Sequence, residues 1–361
     1  MSSMPLFGLA QIGWDEDRDS YLRENHPGLV PARVSVEHRR SYSVLTANGE
    51  MSAEVTGRMR HDALLKTQLP AVGDWIAARP VQGEAKVMIE AVLPRRSSFS
   101  RDVAGLTTEE QVLAANIDKI FVLAGLDGDL NLRRVERFLT LAWESGAVPV
   151  VVLTKTDKSD DVAGALREVV AIAPGVEVYA ICALEEGGVD PVLEELTGNP
   201  TVALLGSSGV GKSTLINRML GEDLMTTRKV RWDGKGRHTT THRELIPLPG
   251  GGAVIDTPGL RELRLWDAEQ GIDTSFSDIA ELAIGCRFSD CSHEHEPDCA
   301  VLAALETGVL DEGRLASYRK LQRELTALAR KKDAHLAREH GRRFHQLSVE
   351  ARARSKAKEW F

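Results

Sequence analysis

The sequence predicts an α/β phosphate-binding-loop domain in the middle of the chain, a small five-stranded β-barrel before it and a cysteine-bearing α-helical domain after it. Three observations carry this. A complete phosphate-binding loop, Gly206-Ser207-Ser208-Gly209-Val210-Gly211-Lys212-Ser213-Thr214, stands between an apolar run, Thr201–Leu205, and an amphipathic segment, Ser213–Leu220. Short strand-like runs separated by turn residues fill the region from about Ala32 to Ser98. Three of the 4 cysteines gather with a histidine between Cys286 and Cys299.

Composition sets the outer bounds. A chain of 361 residues can bury two or three separate cores, and 42% apolar with 27% charged residues is a globular composition. No apolar run approaches membrane-spanning length, and Met1–Gly13 lacks the basic flank and long apolar core of a secretion signal, so a cytoplasmic protein with no membrane partner is expected. Four cysteines in so long a chain do not make a disulfide framework. The net charge of −8 argues against bulk attraction to nucleic acid. Its distribution is uneven, however: from Arg314 to Phe361 there are 14 basic and 5 acidic residues, a local +9 that leaves −17 for the rest. Such a tail suits phosphate contacts or a solvated helix face.

Taken in order, residues 1–31 read as an extension with little structure of its own. The barrel, residues 32–98, has strand signals at Arg33–Glu37, Tyr42–Ala47, Met51–Val55, Asp74–Ala78 and Lys86–Leu93, punctuated by Asn48-Gly49, Pro70, Gly73 and Gly83. Five such strands suit a Greek-key barrel of the oligonucleotide-binding (OB) type, with Arg39 and Arg40 in its first connection. Leu93–Leu106 reads as a linker. Residues 99–270 then alternate: strand Ile117–Gly125, helix Leu132–Trp143, strand Val148–Leu153, helix Val162–Ile172, strand Val176–Ile181, helix Val189–Leu196, then the phosphate loop. That order implies a parallel sheet covered on both faces. Arg243–Leu248 and Ala253–Asp256 read as a hairpin added to the sheet. Residues 271–361 hold the cysteine cluster and helices at Val301–Glu306 and Arg314–Ala329.

The chemistry starts at the glycines, which let successive amides point at one spot where the helix N-terminus adds its positive end. Lys212 would reach the β and γ phosphates and Ser213 would hold Mg²⁺. Asp256-Thr257-Pro258-Gly259, after an apolar strand, supplies a second metal-side carboxylate in Asp256 and a γ-phosphate sensor in the Gly259 amide. Between the two, the glycine-rich loop Thr226–Arg243 offers Thr240 as the switch threonine on Mg²⁺. Thr154-Lys155-Thr156-Asp157 follows a strand and offers Asp157 to the guanine edge, with the Lys155 stem along the ring. Cys182-Ala183-Leu184 follows the next strand and fits the backbone loop that reads the guanine oxygen. The pair favours GTP over ATP.

The motif order is unusual, since the base-reading motifs precede the phosphate loop. On this order, and on Leu69–Trp75, Asn131–Arg134, Gly206–Thr214, Gly236–Thr241, Asp256–Gly259 and the cysteine cluster, the chain resembles the circularly permuted GTPases, and closely the bacterial ribosome small-subunit-dependent GTPase A family. The resemblance spans about residues 32–330. It implies a circularly permuted α/β phosphate-loop GTPase domain with an N-terminal OB-type barrel and a C-terminal zinc-binding helical domain. It further implies action late in 30S subunit maturation and docking on 16S rRNA; GTP hydrolysis is expected to release the protein, which is expected to be a monomer. Two other readings stay open here: an ATP-dependent phosphate-loop enzyme, and a non-catalytic, nucleotide-gated RNA-binding scaffold.

Three details qualify the site. Thr154 stands where the guanine motif usually has Asn, which would loosen one hydrogen bond. Leu260 follows Asp256–Gly259 where many GTPases place a water-orienting Gln, so unaided hydrolysis would be slow; the resemblance points to His238 instead, while packing of His238 on nucleotide or RNA is the other reading. The spacing Cys286-x₄-Cys291-x-His293-x₅-Cys299 suits a closed tetrahedral Zn²⁺ site, with His295 as a competing ligand.

Overall fold

The computed structural model describes residues 8–63, 65–102, 110–221, 243–256 and 269–326. Its first unit is a barrel of β1 (Val30–Glu37), β2 (Tyr42–Thr46), β3 (Gly49–Val55), β4 (Trp75–Pro80) and β5 (Lys86–Val92). The strands run in the order β1-β2-β3-β5-β4, and β4 returns to β1 through the pairs Val30↔Ala78 to Arg33↔Trp75, so the sheet closes on itself. Closure removes the exposed edges. Alternate residues Ala32 and Val34, Ile76 and Ala78, Val87 and Ile89 point inward with Val44 and Ala53 to fill the interior. Arg39 and Arg40 lie in the β1–β2 connection, as expected.

Two expectations need correction. The Leu93–Leu106 linker contains a strand, β6 (Ser98–Asp102), which pairs antiparallel with β7 (Glu110–Ala115). The signal was weak because Ser-Phe-Ser-Arg-Asp places one apolar residue, the buried Phe99, among polar ones. The described part of the N-terminal extension also has structure: a 3₁₀ turn at Leu9–Ile12 and an α-helix at Glu16–Asn25, capped by Asp15, precede β1. That helix is mostly polar and buries mainly Leu22, so no apolar stripe announces it.

The central sheet comprises β8 (Lys119–Gly125), β9 (Val148–Thr154), β10 (Glu177–Ala180), β11 (Thr201–Gly206), β12 (Glu244–Pro247) and β13 (Ala253–Asp256), in the order β10-β9-β8-β11-β13-β12. All neighbours are parallel except β12, which is antiparallel to β13. The period of two sorts the strands onto two cores. Ile120, Val122, Val151, Leu153, Ala203 and Leu205 face the helices Leu132–Glu144 and Val162–Ile172 through Val135, Leu139, Val169 and Ile172. Phe121, Leu123, Val150, Val152, Val202 and Leu204 face Val192, Leu215 and Ile216 of the helices Asp190–Glu194 and Lys212–Leu220. One antiparallel bridge, Val36↔Glu244, joins β1 to β12 and merges barrel and central sheet into a single eleven-stranded sheet.

The junction is filled by Arg33, which is 1% exposed. Its guanidinium donates to the carbonyls of Ile12, of Gly73 at 3.2 Å and of Asn116 at 3.0 Å. It also lies 5.0 Å from the Trp75 ring centroid, and Trp75 in turn packs on Trp14. Burial pushes the guanidinium down to about 9, so it stays cationic at neutral pH.

The C-terminal helices Glu269–Ser275, Ser277–Ala283 and Ala300–Glu306 and the helical residues 312–326 pack against the helix Leu132–Glu144. Here too a buried cation makes the join. Arg314 pairs with Glu136 at 3.0 Å and Asp278 at 2.8 Å, and lies 4.5 Å from the Phe276 centroid. Burial would lower its pKa, but the two carboxylates outweigh this and hold it above the usual arginine value. Ser317 donates to the second oxygen of Glu136 at 2.6 Å. Among the described residues no helix is long and apolar enough to cross a membrane.

Arg33→Met leaves three carbonyls without their donor, each costing about 1–3 kcal/mol if it stays buried. The variant is expected to lose about 3 kcal/mol or more of unfolding free energy in urea, with Arg33→Lys recovering less than half, because one ammonium cannot span three carbonyls.

Candidate guanine-nucleotide site and metal centre

The phosphate loop leaves β11, the strand between β8 and β13, and runs into the helix Lys212–Leu220. Gly209 and Gly211 adopt φ of 78° and 107°, conformations that a side chain would strain. Val210 is buried under the loop, while Ser208 and Gly209 at its tip and Ser213 and Thr214 on the first helical turn are exposed. Lys212 folds over the loop and donates from Nζ to the carbonyl of Gly206 at 2.8 Å and to that of Ser207. Asp256 ends β13, whose pairing to β11 through Ala203↔Ile255 sets that carboxylate beside the phosphate loop.

The two motifs predicted to read the base lie at the same end of the sheet. Thr154 ends β9, and its hydroxyl, buried, donates to the Val210 carbonyl at 2.7 Å. The hydroxyl therefore ties the end of β9 directly to the phosphate loop. Lys155 takes a left-handed backbone, φ 61°, and its ammonium pairs with Asp127. Asp157 accepts from the Cys182 thiol at 3.4 Å, which links the two base-side loops. Arg218, on the phosphate-loop helix, donates to the carbonyls of Ala183 at 2.8 Å and Leu184 at 3.3 Å.

Three side chains here went unseen in the sequence: Arg218, Asp127 and Asp129. Asp129 accepts from Ser207 Oγ and from Arg134 at 2.8 Å, and these bonds hold its carboxyl below the usual range. A helix-borne Arg and two carboxylates in a turn carry no signature, and only the spatial closeness of the β8 and β11 ends reveals them. His238, Thr240, Gly259 and Leu260 lie outside the described residues.

The cysteine cluster forms as the spacing suggested. Cys286, Cys291, His293 and Cys299 bring one ligand atom each within 4.8 Å of all the others. The Cys286–Cys299 sulfur separation is 3.8 Å, and His293 Nδ1 is 3.6 and 3.5 Å from the sulfurs of Cys286 and Cys299. A tetrahedron with Zn–S of about 2.3 Å and Zn–N of about 2.0–2.1 Å has S···S edges of about 3.8 Å and S···N edges of about 3.5–3.6 Å. The donor set therefore fits zinc in both chemistry and size. His295, the competing ligand, is exposed and outside the cluster, whereas His293 is buried and positioned by Arg319, which donates to its carbonyl.

Permuted motif order, a central sheet with both nucleotide loops at one end and an added barrel define the class: a circularly permuted phosphate-loop GTPase. The profile of the RsgA GTPase family matches residues 92–266. The Oceanobacillus iheyensis protein named small ribosomal subunit biogenesis GTPase RsgA 1 is 46% identical over 93% of this chain and 97% of its own length. The RsgA of Opitutus terrae is 47% identical over 96% of this chain and 98% of its own. The crystal structure of YjeQ from Thermotoga maritima superposes with a TM-score of 0.65 at 26% identity, covering 82% of this chain and 98% of that one. YloQ, described as a circularly permuted GTPase, shares the fold with a TM-score of 0.61 at 20% identity, over 84% and 97% of the two chains. The chain belongs to the RsgA family of GTPases.

Purified protein is expected to carry about one zinc per chain by elemental analysis, as four closed protein ligands imply. Cys286→Ala is expected to lose the metal and open residues 286–299 to proteolysis, while the central sheet keeps its melting transition. Retention of a full equivalent of zinc in that variant would contradict the assignment.

Proposed function

We propose that this GTPase is a late maturation factor of the small (30S) ribosomal subunit, which it binds through 16S rRNA in the GTP state and leaves after subunit-stimulated hydrolysis. The names of its relatives support the partner, and the observation that carries the reading is the joining of both nucleotide loops, barrel and cysteine cluster in one continuous fold. In this reading Asp157 accepts from the guanine N1–H and amino group, and Lys155 lies along the ring. Thr154 ties the base loop to the phosphate loop, and the backbone at Cys182 and Ala183 meets the guanine oxygen. The loop from Gly206 to Thr214 cradles the phosphates through its amides, Lys212 bridges the β and γ groups, and the Gly259 amide senses the γ-phosphate.

Ser213 and Thr240 would hold Mg²⁺ directly and Asp256 through a water; bound there, the ion neutralises charge on the phosphate oxygens. Leucine at 260 cannot orient the attacking water, and His238 is assigned that task. Zinc at Cys286, Cys291, His293 and Cys299 would have no open position, so its role is to fold the module and not to react. Arg39 and Arg40 on the barrel and the basic tail supply local phosphate contacts on an otherwise acidic protein, which acts as a monomer in the cytoplasm.

Adding purified small subunits is expected to raise GTP turnover at least tenfold, and His238→Ala to remove most of that gain while leaving GDP affinity near that of the parent. No acceleration by subunits would overturn the proposal. Asp157→Asn is expected to shift preference from guanosine to xanthosine nucleotides, because the amide can donate to the xanthine oxygen. Unchanged preference, or equal affinity of the parent protein for ATP, would remove the guanine assignment.

A further inference from the structure

We propose that the loop between β8 and the helix Leu132–Glu144 forms a third wall of the nucleotide site, in which Asp127 is a positioning residue that holds Lys155 ready for the guanine ring. The inference rests on the GTPase reading above and concerns a residue that no motif marks.

Lys155 leaves the end of β9 from a left-handed backbone, which sets the direction of its stem, and Asp127 fixes the far end by accepting from Nζ. Asp127 is itself seated. A methyl group added at Gly125, the last residue of β8, would lie 2.6 Å from Asp127 Oδ1, so the carboxylate uses space that only glycine leaves there. Two residues further on, Asp129 takes the Ser207 hydroxyl of the phosphate loop and is braced by the Arg134 guanidinium. One short loop therefore grips the base side with one carboxylate and the phosphate side with the other.

A lysine stem loses rotamer freedom when it lies on a purine, and fixing its ammonium beforehand removes part of that cost. Both partners are about one-third exposed, 31% and 34%, and such a pair adds little to folding. The effect belongs on nucleotide retention.

The test uses the full-length protein, a fluorescent GDP analogue for affinity and release, and steady-state GTP turnover. Asp127→Asn is expected to raise the Kd for GDP and the KM for GTP threefold to tenfold, mainly through faster release, with kcat within twofold and Tm unchanged. Gly125→Ala keeps both charged groups but fills the seat, and should reproduce the loss. Lys155→Met should weaken binding more, and adding Asp127→Asn to it should cost nothing further. An unchanged Kd in Asp127→Asn, or losses that multiply in the double variant, would overturn the positioning role while leaving the GTPase reading intact. Failure of the parent protein to bind GTP would instead overturn that reading.

Discussion

A single buried cation, Arg33, sets how the front half of the molecule is assembled. It sits on β1, the strand shared by the closed barrel and, through Val36↔Glu244, the central sheet. Its three donors reach carbonyls from the 3₁₀ turn at Leu9–Ile12, from the loop before β4 and from the turn before β8. Isolated burial of a charge is expensive, and what offsets it here is a set of oriented carbonyl dipoles, the Trp75 face and the fields of Asp118 and Asp74. Because each dipole belongs to a different segment, none can move without stranding the guanidinium. Residues 8–29 thus become a structural wedge between the barrel and the central sheet.

The C-terminal half repeats the device with a different balance. Arg314 has true counter-ions, and Glu136, 1% exposed, accepts from Arg133, Arg314 and Ser317. A fully paired buried carboxylate adds little net stability, but losing one partner leaves a charge that the interior cannot solvate. The pair therefore fixes where the cysteine-bearing module docks more than how tightly the protein folds. From the same helical residues, Arg319 reaches the His293 carbonyl, so the docking helix also braces the cysteine-histidine cluster.

Much of this was legible in the sequence, for identifiable reasons. The inner strands of the central sheet are continuous apolar runs, as burial on both faces requires, and the barrel strands are short runs set off by turn residues. The phosphate loop and Thr154–Asp157 are local motifs whose geometry follows from their own glycines and strand ends. The cysteine spacing contained the metal cluster, although choosing His293 over His295 needed the fold, since both lie within reach along the chain. What escaped was non-local or polar. Arg33 and Arg314 read as surface charges until the carbonyls and carboxylates 21 to 178 residues away are brought to them. The helix Glu16–Asn25 and strand β6 each bury too few apolar residues to leave a periodic trace.

Permutation gives these joins their functional meaning. In this chain order β8, β9 and β10 precede the phosphate loop, so the helix that follows β8 lies early in the domain while the module it supports comes last. That one helix carries Arg134, which braces Asp129 against the phosphate loop, and, two residues on, Glu136, which grips Arg314. Two positions separated by one residue on a rigid element thus connect to the phosphate loop and to the docking of the C-terminal module. On the opposite side, β12 emerges directly from the segment that ends at residue 242 and bridges at once to the barrel strand β1. Close-packed interiors do not deform gradually, so a nucleotide-dependent shift at either point has to be taken up at a defined joint. Among the described residues, Arg33 and Arg314 sit at two such joints, where the barrel and the C-terminal module meet the central domain.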